Sequence, residues 1–263
     1  MNTPTGAERE PGRAADAAPA LSVPALSVVV PVKDEAGNVL PLIEEIHAAL
    51  DGVVAFEVVY VDDGSGDETA GELAEAWRRF PRLTVLRHRR ACGQSTALLT
   101  GVKAARADWI AMLDGDGQNP PAGILKLLQA RDAAADPRVT LIAGERAERR
   151  DDVLRRLSSR LANGLRMRVL KDGVRDTGCG LKLIRRDAYL ALPGFDHMHR
   201  FLPALAQTRG GRILVVPVEH RPRQHGRTKY GVGNRLWVGL VDLLGVFWLK
   251  RRSKVPEVEQ WQR

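Results

Sequence analysis

Short apolar segments rich in β-branched residues alternate with longer helical patterns along most of this chain. Residues 26–32 and 56–61 form two such segments, and a helical pattern lies between them at about 38–50. Strands that alternate with helices at this spacing are typical of right-handed βαβ units around a parallel sheet. We therefore predict an α/β fold in which helices flank a mainly parallel sheet.

The alternation continues along the chain without an internal repeat or a long linker. We predict further strands over 83–87, 109–113, 139–143, within 174–186 and over 212–218, and helices over 93–106, 122–134, from about 151 and around 200–208. The first 25 residues are rich in Ala, Pro, Glu and Arg and lack the apolar core of a secretory signal. We expect a disordered leader over 1–25, one domain over 26–231 and a C-terminal segment over 232–263.

Two acidic pairs directly follow predicted strands. Asp62 and Asp63 come after the second strand, and Asp114 and Asp116 after the fourth, with Gln118 close behind. Parallel sheets bind ligands at the carboxyl ends of their strands. Carboxylate and amide oxygens suit Mg²⁺ or Mn²⁺, and such an ion stabilises a departing diphosphate. The chain has neither a GxGxxG fingerprint nor a GxxxxGK[ST] phosphate loop, which argues against NAD, FAD and ATPase chemistry.

The positive charge is concentrated towards the C-terminus. The chain has 40 Lys and Arg against 32 Asp and Glu, a formal net charge of +8. From residue 200 onward 13 basic residues face 4 acidic ones, which leaves 27 basic and 28 acidic residues before it. Nucleic-acid binding is disfavoured, because aromatic residues make up only 5% and no stacking motif interleaves with the basic loop at 219–229.

The cysteines and histidines do not predict a zinc site. Cys92 and Cys179 lack a CxxC spacing, and we expect two reduced, partly buried thiols. The histidines near the C-terminal end form no compact set of metal ligands; they are His197, His199, His220 and His225.

The most apolar stretch is 236–249, and Lys250, Arg251, Arg252 and Lys254 follow it at once. As a helix its 14 residues span about 21 Å, which is short of a bilayer core of about 30 Å. An amphipathic helix that lies beside anionic lipid head groups is one interpretation. The alternative is a helix that packs on its own domain or on a second subunit in a homodimer.

Several ordered motifs resemble those of family 2 glycosyltransferases. These are Pro31-Val-Lys-Asp-Glu35 with Asn38, Val61-Asp-Asp-Gly-Ser65, Gly93-Gln-Ser-Thr-Ala97 with Gly101, and Leu113-Asp-Gly-Asp-Gly-Gln-Asn-Pro-Pro121. Later motifs resemble the polyprenyl-phosphate, dolichol-phosphate mannosyltransferase-like branch: Gly144-Glu-Arg146, Arg149, Asp151, Ser159, Asn163, Asp176-Thr-Gly-Cys-Gly-Leu-Lys182, His199-Arg-Phe-Leu-Pro203 and the segment from His220 to Tyr230. The resemblance covers about residues 25–250.

The resemblance implies a GT-A catalytic domain with a mixed, mainly parallel sheet, a nucleotide-sugar donor and a divalent metal, Mg²⁺ or Mn²⁺. The implied metal ligands are Asp114, Asp116 and Gln118, of which Asp116 is also catalytic. The implied donor contacts are Pro31, Glu35, Asp62, Asp63, Gln94 and Asp114, together with Arg221, Arg223 and Lys229 of a basic loop over the diphosphate. Gly115, Gly117 and Thr228 depart from the usual residues of these motifs, and we expect the metal loop to tolerate them.

By the same resemblance, Arg146, Arg149 and Ser159 match positions that meet an acceptor phosphate, and the two arginines would hold the attacking oxygen. A phosphate monoester is already a nucleophilic anion at neutral pH, so it needs cations rather than a general base. The arginine fork matches phosphate oxygens. In the segment 197–207, where hydroxyl-modifying relatives carry an acidic base, this chain has His199 and Arg200.

We therefore expect an inverting, metal-dependent transfer of a sugar from a nucleotide-sugar to a polyprenyl phosphate, at the cytoplasmic face of the plasma membrane. Two alternatives remain open. One is a family 2 transferase that acts on a saccharide or lipid hydroxyl, with Asp196 as its base. The other is a catalytically silent membrane-binding module with the same fold.

Overall fold

The computed structural model describes residues 23–147, 164, 166–223, 232–254, 256 and 259. The strands are β1 (Leu26–Val32), β2 (Phe56–Asp62), β3 (Leu83–Arg87), β4 (Trp109–Met112), β5 (Val139–Arg146), β6 (Lys182–Arg185) and β7 (Arg212–Val218). The helices are α1 (Val39–Leu50), α2 (Thr69–Arg79), α3 (Gln94–Ala104), α4 (Gly123–Ala134), α5 (Arg186–Leu190), α6 (Leu202–Thr208) and α7 (Val232–Arg252), with a 3₁₀ turn at Met198–Arg200. The helix predicted from about residue 151 falls largely outside the described residues.

The seven strands form one mixed sheet in the order β3-β2-β1-β4-β6-β5-β7. β1 pairs in parallel with β2 and β4, β2 with β3, and β5 with β7. β6 runs antiparallel to both β4 and β5. The predicted mixed, mainly parallel sheet is therefore confirmed, and the carboxyl ends of the other six strands meet at one edge.

Hydrophobic layers cover both faces of the sheet. All residues of β1 and β2 are buried, as continuous apolar runs in a parallel sheet predict. Val28 and Val30 belong to a core that contains residues of α1, α2 and α4. Val29 belongs to a second core on the other face, which contains residues of α3, α6 and α7. This two-sided packing fixes the strands, so the loops at their carboxyl ends start from rigid positions.

The helix α7 has one buried and one exposed apolar face. Leu243 and Val246 are buried against the domain. The other face carries large side chains that are 40–60% exposed, at helical spacing: Leu240, Val241, Leu244 and Trp248. The expected C-terminal helix is present. Among the described residues, no helix combines the length and the hydropathy that crossing a membrane requires.

The first residue of the basic cluster after this apolar stretch faces the domain. Lys250 Nζ donates to the Leu170 carbonyl and to Gln207 Oε1, the latter at 2.9 Å. Burial lowers its pKa. The interpretation that places Lys250, Arg251, Arg252 and Lys254 beside lipid head groups does not hold for Lys250, because its ammonium group binds the domain at the base of α7.

Candidate active site

Two carboxylates lie in the loop that follows β4. Asp114 Oδ1 accepts a hydrogen bond from Gln94 Nε2, at the start of α3, over 2.8 Å. Asp116 is buried, and its Oδ1 accepts the backbone N–H of Gln118 at 3.1 Å. Burial and the neighbouring Asp116 carboxylate raise the pKa of Asp114 to about 6. Like charges held together in this way favour a bound cation.

An arginine from the loop after β7 contacts this acidic loop. Arg223 Nη2 donates to Asp116 Oδ2 at 2.6 Å, and its Nη1 lies 3.9 Å from Glu35 Oε1. The side chain is 27% exposed, so one side of it faces solvent. Residues that are 107 positions apart in the sequence thus form an ion pair at the carboxyl edge of the sheet.

A second arginine of that loop fixes its position. The backbone N–H of Arg221 donates to the Gln118 carbonyl at 2.9 Å, and Gln118 Nε2 donates to the Arg221 carbonyl at 3.4 Å. The Arg221 guanidinium donates to the Gly117 carbonyl at 2.5 Å and to both oxygens of Glu45 on α1 at 2.8 and 2.9 Å. The start of the basic loop is therefore tied to the acidic loop and to α1.

The segment before β6 closes the other side of Asp114. A Cβ on Gly180 would lie 2.2 Å from Asp114 Oδ2, so only glycine permits this approach. Lys182, the first residue of β6, is buried and donates to the Cys179 carbonyl. Burial lowers the pKa of Lys182, while Cys179 and Asp114 raise it. A glycine and a buried lysine thus complete the surroundings of Asp114.

Two of the residues implied as donor contacts lie in and after β1. Pro31 is buried in the strand, opposite Val61 of β2. Glu35 is buried; its backbone N–H donates to Thr69 Oγ1 at 2.8 Å, and its Oε2 accepts from Asn38 Nδ2 at 2.9 Å. Both residues lie on the same edge as the acidic loop.

Asp62, the last residue of β2, is held by the turn that follows the strand. Asp62 Oδ1 accepts the backbone N–H of Ser65 at 2.8 Å, and its Oδ2 lies 2.9 Å from Arg87 Nε at the end of β3. Asp62 is 1% exposed. These contacts give Asp62 a role in shaping the turn, beside the donor role implied by the resemblance.

The carboxylate directly after β2, Asp63, belongs to a cluster that the sequence did not reveal. Asp63 Oδ1 lies 2.7 Å from His88 Nδ1 and accepts the backbone N–H of Cys92 at 2.7 Å, while its Oδ2 accepts that of Gly93 at 2.8 Å. His88 Nε2 lies 3.0 Å from Thr100 Oγ1. His88 and Cys92 share the loop after β3, whereas Asp63 follows β2, so the strand pairing brings the carboxylate to the other two residues.

Of the residues implied as contacts of the acceptor phosphate, Arg146 lies within the described part of the structure. It ends β5 and forms a bidentate pair with Asp176, from Nε to Oδ2 at 2.6 Å and from Nη2 to Oδ1 at 2.9 Å. Asp176 is 3% exposed, so it fixes the guanidinium from the protein side. The other residues implied for the acceptor phosphate and the basic loop lie outside the described residues: Arg149, Ser159 and Lys229.

His199 and Asp196 contact the first residues of α3 and the glycine before it. His199 Nδ1 is 2.8 Å from Ser95 Oγ, and burial lowers the pKa of His199 to about 3, so its ring is neutral at physiological pH. A Cβ built on Gly93 would lie 3.0 Å from Asp196 Oδ1, which places this carboxylate beside Gly93, the residue before Gln94. The Asp196 side chain is 65% exposed.

The residues of the acidic loop fit a divalent cation. Asp114 and Asp116 supply hard carboxylate oxygens, and Gln118 adjoins them in the same loop. Arg223 already places a positive charge on Asp116. The oxygen ligands of this loop and its negative charge both match the implied Mg²⁺ or Mn²⁺.

Comparisons with curated proteins identify relatives. The model of glycosyl transferase family 2 matches residues 27–192. The chain is 35% identical over 209 residues to an undecaprenyl-phosphate 4-deoxy-4-formamido-L-arabinose transferase of Edwardsiella ictaluri, covering 79% of this chain and 63% of that protein. It is 34% identical over 236 residues to a dodecaprenyl-phosphate galacturonate synthase of Rhizobium johnstonii, covering 88% and 69%. The chain thus spans less than two thirds of the Edwardsiella relative.

Solved structures share the fold. A mannosyltransferase of Pyrobaculum calidifontis in complex with GDP-mannose and Mn²⁺ superposes with a TM-score of 0.62 at 23% identity, covering 92% of this chain and 68% of that one. Glucosyl-3-phosphoglycerate synthase of Mycobacterium tuberculosis, in complex with Mn²⁺, UDP-glucose and glycerol 3-phosphate, gives 0.62 at 18% identity, covering 89% and 82%. The fold is the GT-A fold, and by the match of the family model and the curated relatives the chain belongs to glycosyltransferase family 2.

Proposed function

We propose that this chain carries the catalytic domain of an inverting glycosyltransferase that moves a sugar from a nucleotide-sugar to a polyprenyl phosphate. The meeting of Asp114, Asp116 and Arg223 at the carboxyl edge of the sheet carries the proposal. Both curated relatives are named for polyprenyl-phosphate products or acceptors. The two solved relatives were determined with GDP-mannose or UDP-glucose bound.

A divalent cation, Mg²⁺ or Mn²⁺, belongs to this proposal. Asp114 and Asp116 would hold it together with Gln118, and both solved relatives were determined with Mn²⁺. When bound, such an ion offsets the charge that develops on the leaving diphosphate. Gln94 keeps the Asp114 carboxylate in place through its hydrogen bond. This is the role of an outer-shell partner of a metal ligand.

The two arginines after β7 help to bind the leaving diphosphate. Arg221 anchors the loop on Glu45 and on the acidic loop. Arg223 pairs with Asp116 and is placed to exchange this partner for a diphosphate oxygen, because a guanidinium matches phosphate oxygens in a planar fork. The departing nucleoside diphosphate carries the largest negative charge that develops in the reaction, and Arg223 would stabilise it.

The acceptor phosphate attacks without a general base. One of its oxygens forms the bond to the anomeric carbon as the bond from that carbon to the diphosphate breaks, and no proton has to be removed. Arg146, held by Asp176, binds the acceptor phosphate together with Arg149 and Ser159. Since Asp176 is buried behind it, Arg146 presents its charge in a fixed direction.

The polyprenyl chain requires access to a membrane. We place the exposed face of α7 on the cytoplasmic surface of the plasma membrane, with Leu244 and Trp248 in the interface. Arg251 and Arg252, which are exposed, meet the anionic head groups. The same face would instead be buried in a homodimer, and the effect of Trp248→Glu on vesicle binding and on oligomeric state separates the two.

A hydroxyl acceptor is the second candidate, and the position of Asp196 favours it. This exposed carboxylate lies beside Gly93, and the next residue, Gln94, contacts Asp114 of the acidic loop. A general base for a hydroxyl acceptor would be needed on this side of the site. Asp196→Asn separates the two reactions. It abolishes transfer to a hydroxyl that depends on this base and leaves transfer to a phosphate within about twofold.

The chain is supplied with Mn²⁺, a panel of labelled nucleotide sugars, and vesicles that contain either undecaprenyl phosphate or undecaprenol, with saccharides added as a further acceptor. We expect label only in the lipid of the undecaprenyl phosphate vesicles, with one donor preferred. Label in undecaprenol, or in added saccharides alone, would instead support the hydroxyl reaction. No label with any donor or acceptor would contradict catalysis by this chain.

A further inference from the structure

The cluster of Asp63, His88 and Cys92 is built from three different kinds of metal ligand. One carboxylate oxygen, one imidazole nitrogen and the thiol sulfur all lie within 4.8 Å of one another. Asp63 is buried, whereas Cys92 is exposed, so the cluster is open to solvent on the side of its thiol. An open site with one O, one N and one S ligand suits zinc and other thiophilic cations rather than Mg²⁺ or Mn²⁺.

The hydrogen bond between Asp63 and His88 marks a place where a cation can bind. The distance from His88 Nδ1 to Asp63 Oδ1 is 2.7 Å, so a proton lies between these atoms. A bound ion replaces that proton and takes both atoms as ligands, after a small widening of the gap. The Cys92 thiol then gives up its proton and binds as the thiolate.

The surroundings of the cluster can support the bound form. His88 Nε2 lies 3.0 Å from Thr100 Oγ1, and a hydroxyl accepts or donates as the tautomer requires. With Nδ1 on the ion, Nε2 carries the proton and donates to Thr100. The backbone N–H groups of Cys92 and Gly93 hold the carboxylate at 2.7 and 2.8 Å. Asp63 and His88 thus have the outer-shell partners that orient ligands in metal sites.

We propose that Asp63, His88 and Cys92 form a second cation site, selective for thiophilic divalent ions such as Zn²⁺, with water in the open position. It is separate from the acidic loop, although Gln94, which contacts Asp114, follows Cys92 by two residues. Because the donor is also expected at Asp63, an ion in the cluster competes with the donor. This last consequence rests on the proposed function, whereas the site itself does not.

The site is tested in the donor-free protein with Cd²⁺, whose bonds to thiolates absorb in the ultraviolet. We expect a saturable thiolate–Cd²⁺ band that corresponds to one ion per chain, and displacement of this Cd²⁺ by Zn²⁺ but not by Mg²⁺. Cys92→Ser abolishes the band, whereas Cys179→Ala, which removes the buried thiol, leaves it unchanged. Calorimetry in buffers of different ionisation enthalpy shows that a proton is released on binding.

Two further variants distinguish a built site from a lone exposed thiol. Thr100→Val weakens Cd²⁺ binding about 10- to 100-fold, as the loss of an outer-shell partner does in metal sites, and His88→Gln weakens it at least as much. Asp116→Asn leaves the band unchanged. Equal affinity for Cd²⁺ in the wild type, His88→Gln and Thr100→Val would overturn the proposal, and so would the absence of a band in the folded wild type. Neither result bears on glycosyl transfer.

Discussion

Arg223 Nη2 donates to Asp116 Oδ2 at 2.6 Å. This pair joins the loop after β7, which is expected to cover the donor diphosphate, to the loop after β4, which is expected to hold the metal. The Arg223 guanidinium and the expected divalent cation therefore compete for the Asp116 carboxylate. Arg223 is therefore expected to lower the affinity of the site for the metal and to raise its affinity for the donor diphosphate.

Arg223→Gln is expected to raise the affinity for Mn²⁺ and to lower the affinity for a nucleoside diphosphate. Removal of a partly exposed ion pair relieves about 0.2–1 kcal/mol of competition, so Mn²⁺ binds up to about fivefold more tightly in the absence of nucleotide. Loss of a charged hydrogen bond weakens diphosphate binding about tenfold or more. Electron paramagnetic resonance of free Mn²⁺ and calorimetry with nucleoside diphosphates measure the two effects.

Arg212→Gln serves as the control for this variant. Arg212 pairs with Asp136 at 2.9 Å at the amino end of β7, so the substitution removes a comparable charge away from the site. It should leave both affinities unchanged. Unaltered Mn²⁺ affinity in Arg223→Gln would show that the ion pair does not compete with the metal.

Gly180→Ala is expected to disturb the metal loop without a substitution of any ligand. The added methyl group would lie 2.2 Å from Asp114 Oδ2, so the carboxylate has to move. We expect Mn²⁺ affinity to fall about 10- to 100-fold, as it does when the setting of a metal ligand is changed. Gly239→Ala, on α7 with nothing within 4 Å of its added Cβ, should bind Mn²⁺ like the wild type.

His199 makes the stability of the domain depend on pH. Its pKa is about 3 in the folded protein and about 6.5 in the unfolded chain, so below pH ~6.5 the unfolded state binds the extra proton. The free energy of unfolding therefore falls as the pH drops, by up to about 1.4 kcal/mol per pH unit from this group. His199→Gln removes this contribution, and urea unfolding at pH 7 and pH 5 should show a shallower pH dependence than in the wild type. Parallel pH dependences would contradict a buried neutral imidazole.

Trp248→Glu is expected to weaken binding to anionic vesicles tenfold or more, because it places a carboxylate in the apolar face of α7. The side chain is 60% exposed, so the melting temperature should change little. Trp77→Glu is the matched control, since Trp77 is 62% exposed on α2, outside this face. Sedimentation with phosphatidylglycerol vesicles measures the binding. A change from dimer to monomer in Trp248→Glu, with vesicle binding intact, would identify the face as a subunit interface.

Periodicity and strand composition predicted most of the fold. The strands β3 and β7 have the predicted bounds, and the acidic turns after β2 and β4 lie at the predicted edge. The direction of β6 was not predictable, because Lys182–Arg185 is a short run whose orientation is decided by its pairing with both β4 and β5. Local sequence carries no information about such tertiary pairing.

The candidate site was predictable only in part, for a similar reason. Motifs placed Asp114 and Asp116 directly, since they are neighbours on one loop. The contact of Arg223 with Asp116 and the approach of His88 to Asp63 join separate loops, so they depend on the strand order. The inward direction of Lys250 depends on the packing of α7, which the row of basic residues does not reveal.

In the reaction that we propose, the sugar becomes linked to the phosphate of a polyprenyl phosphate. Phosphorus NMR of a reaction with undecaprenyl phosphate, Mn²⁺ and the preferred nucleotide sugar observes this phosphate itself. We predict that the monoester resonance of the lipid is replaced by a phosphodiester resonance as nucleoside diphosphate accumulates, and that Asp116→Asn prevents both changes. Release of nucleoside diphosphate while the lipid phosphate remains a monoester would show that the sugar is not transferred to this phosphate.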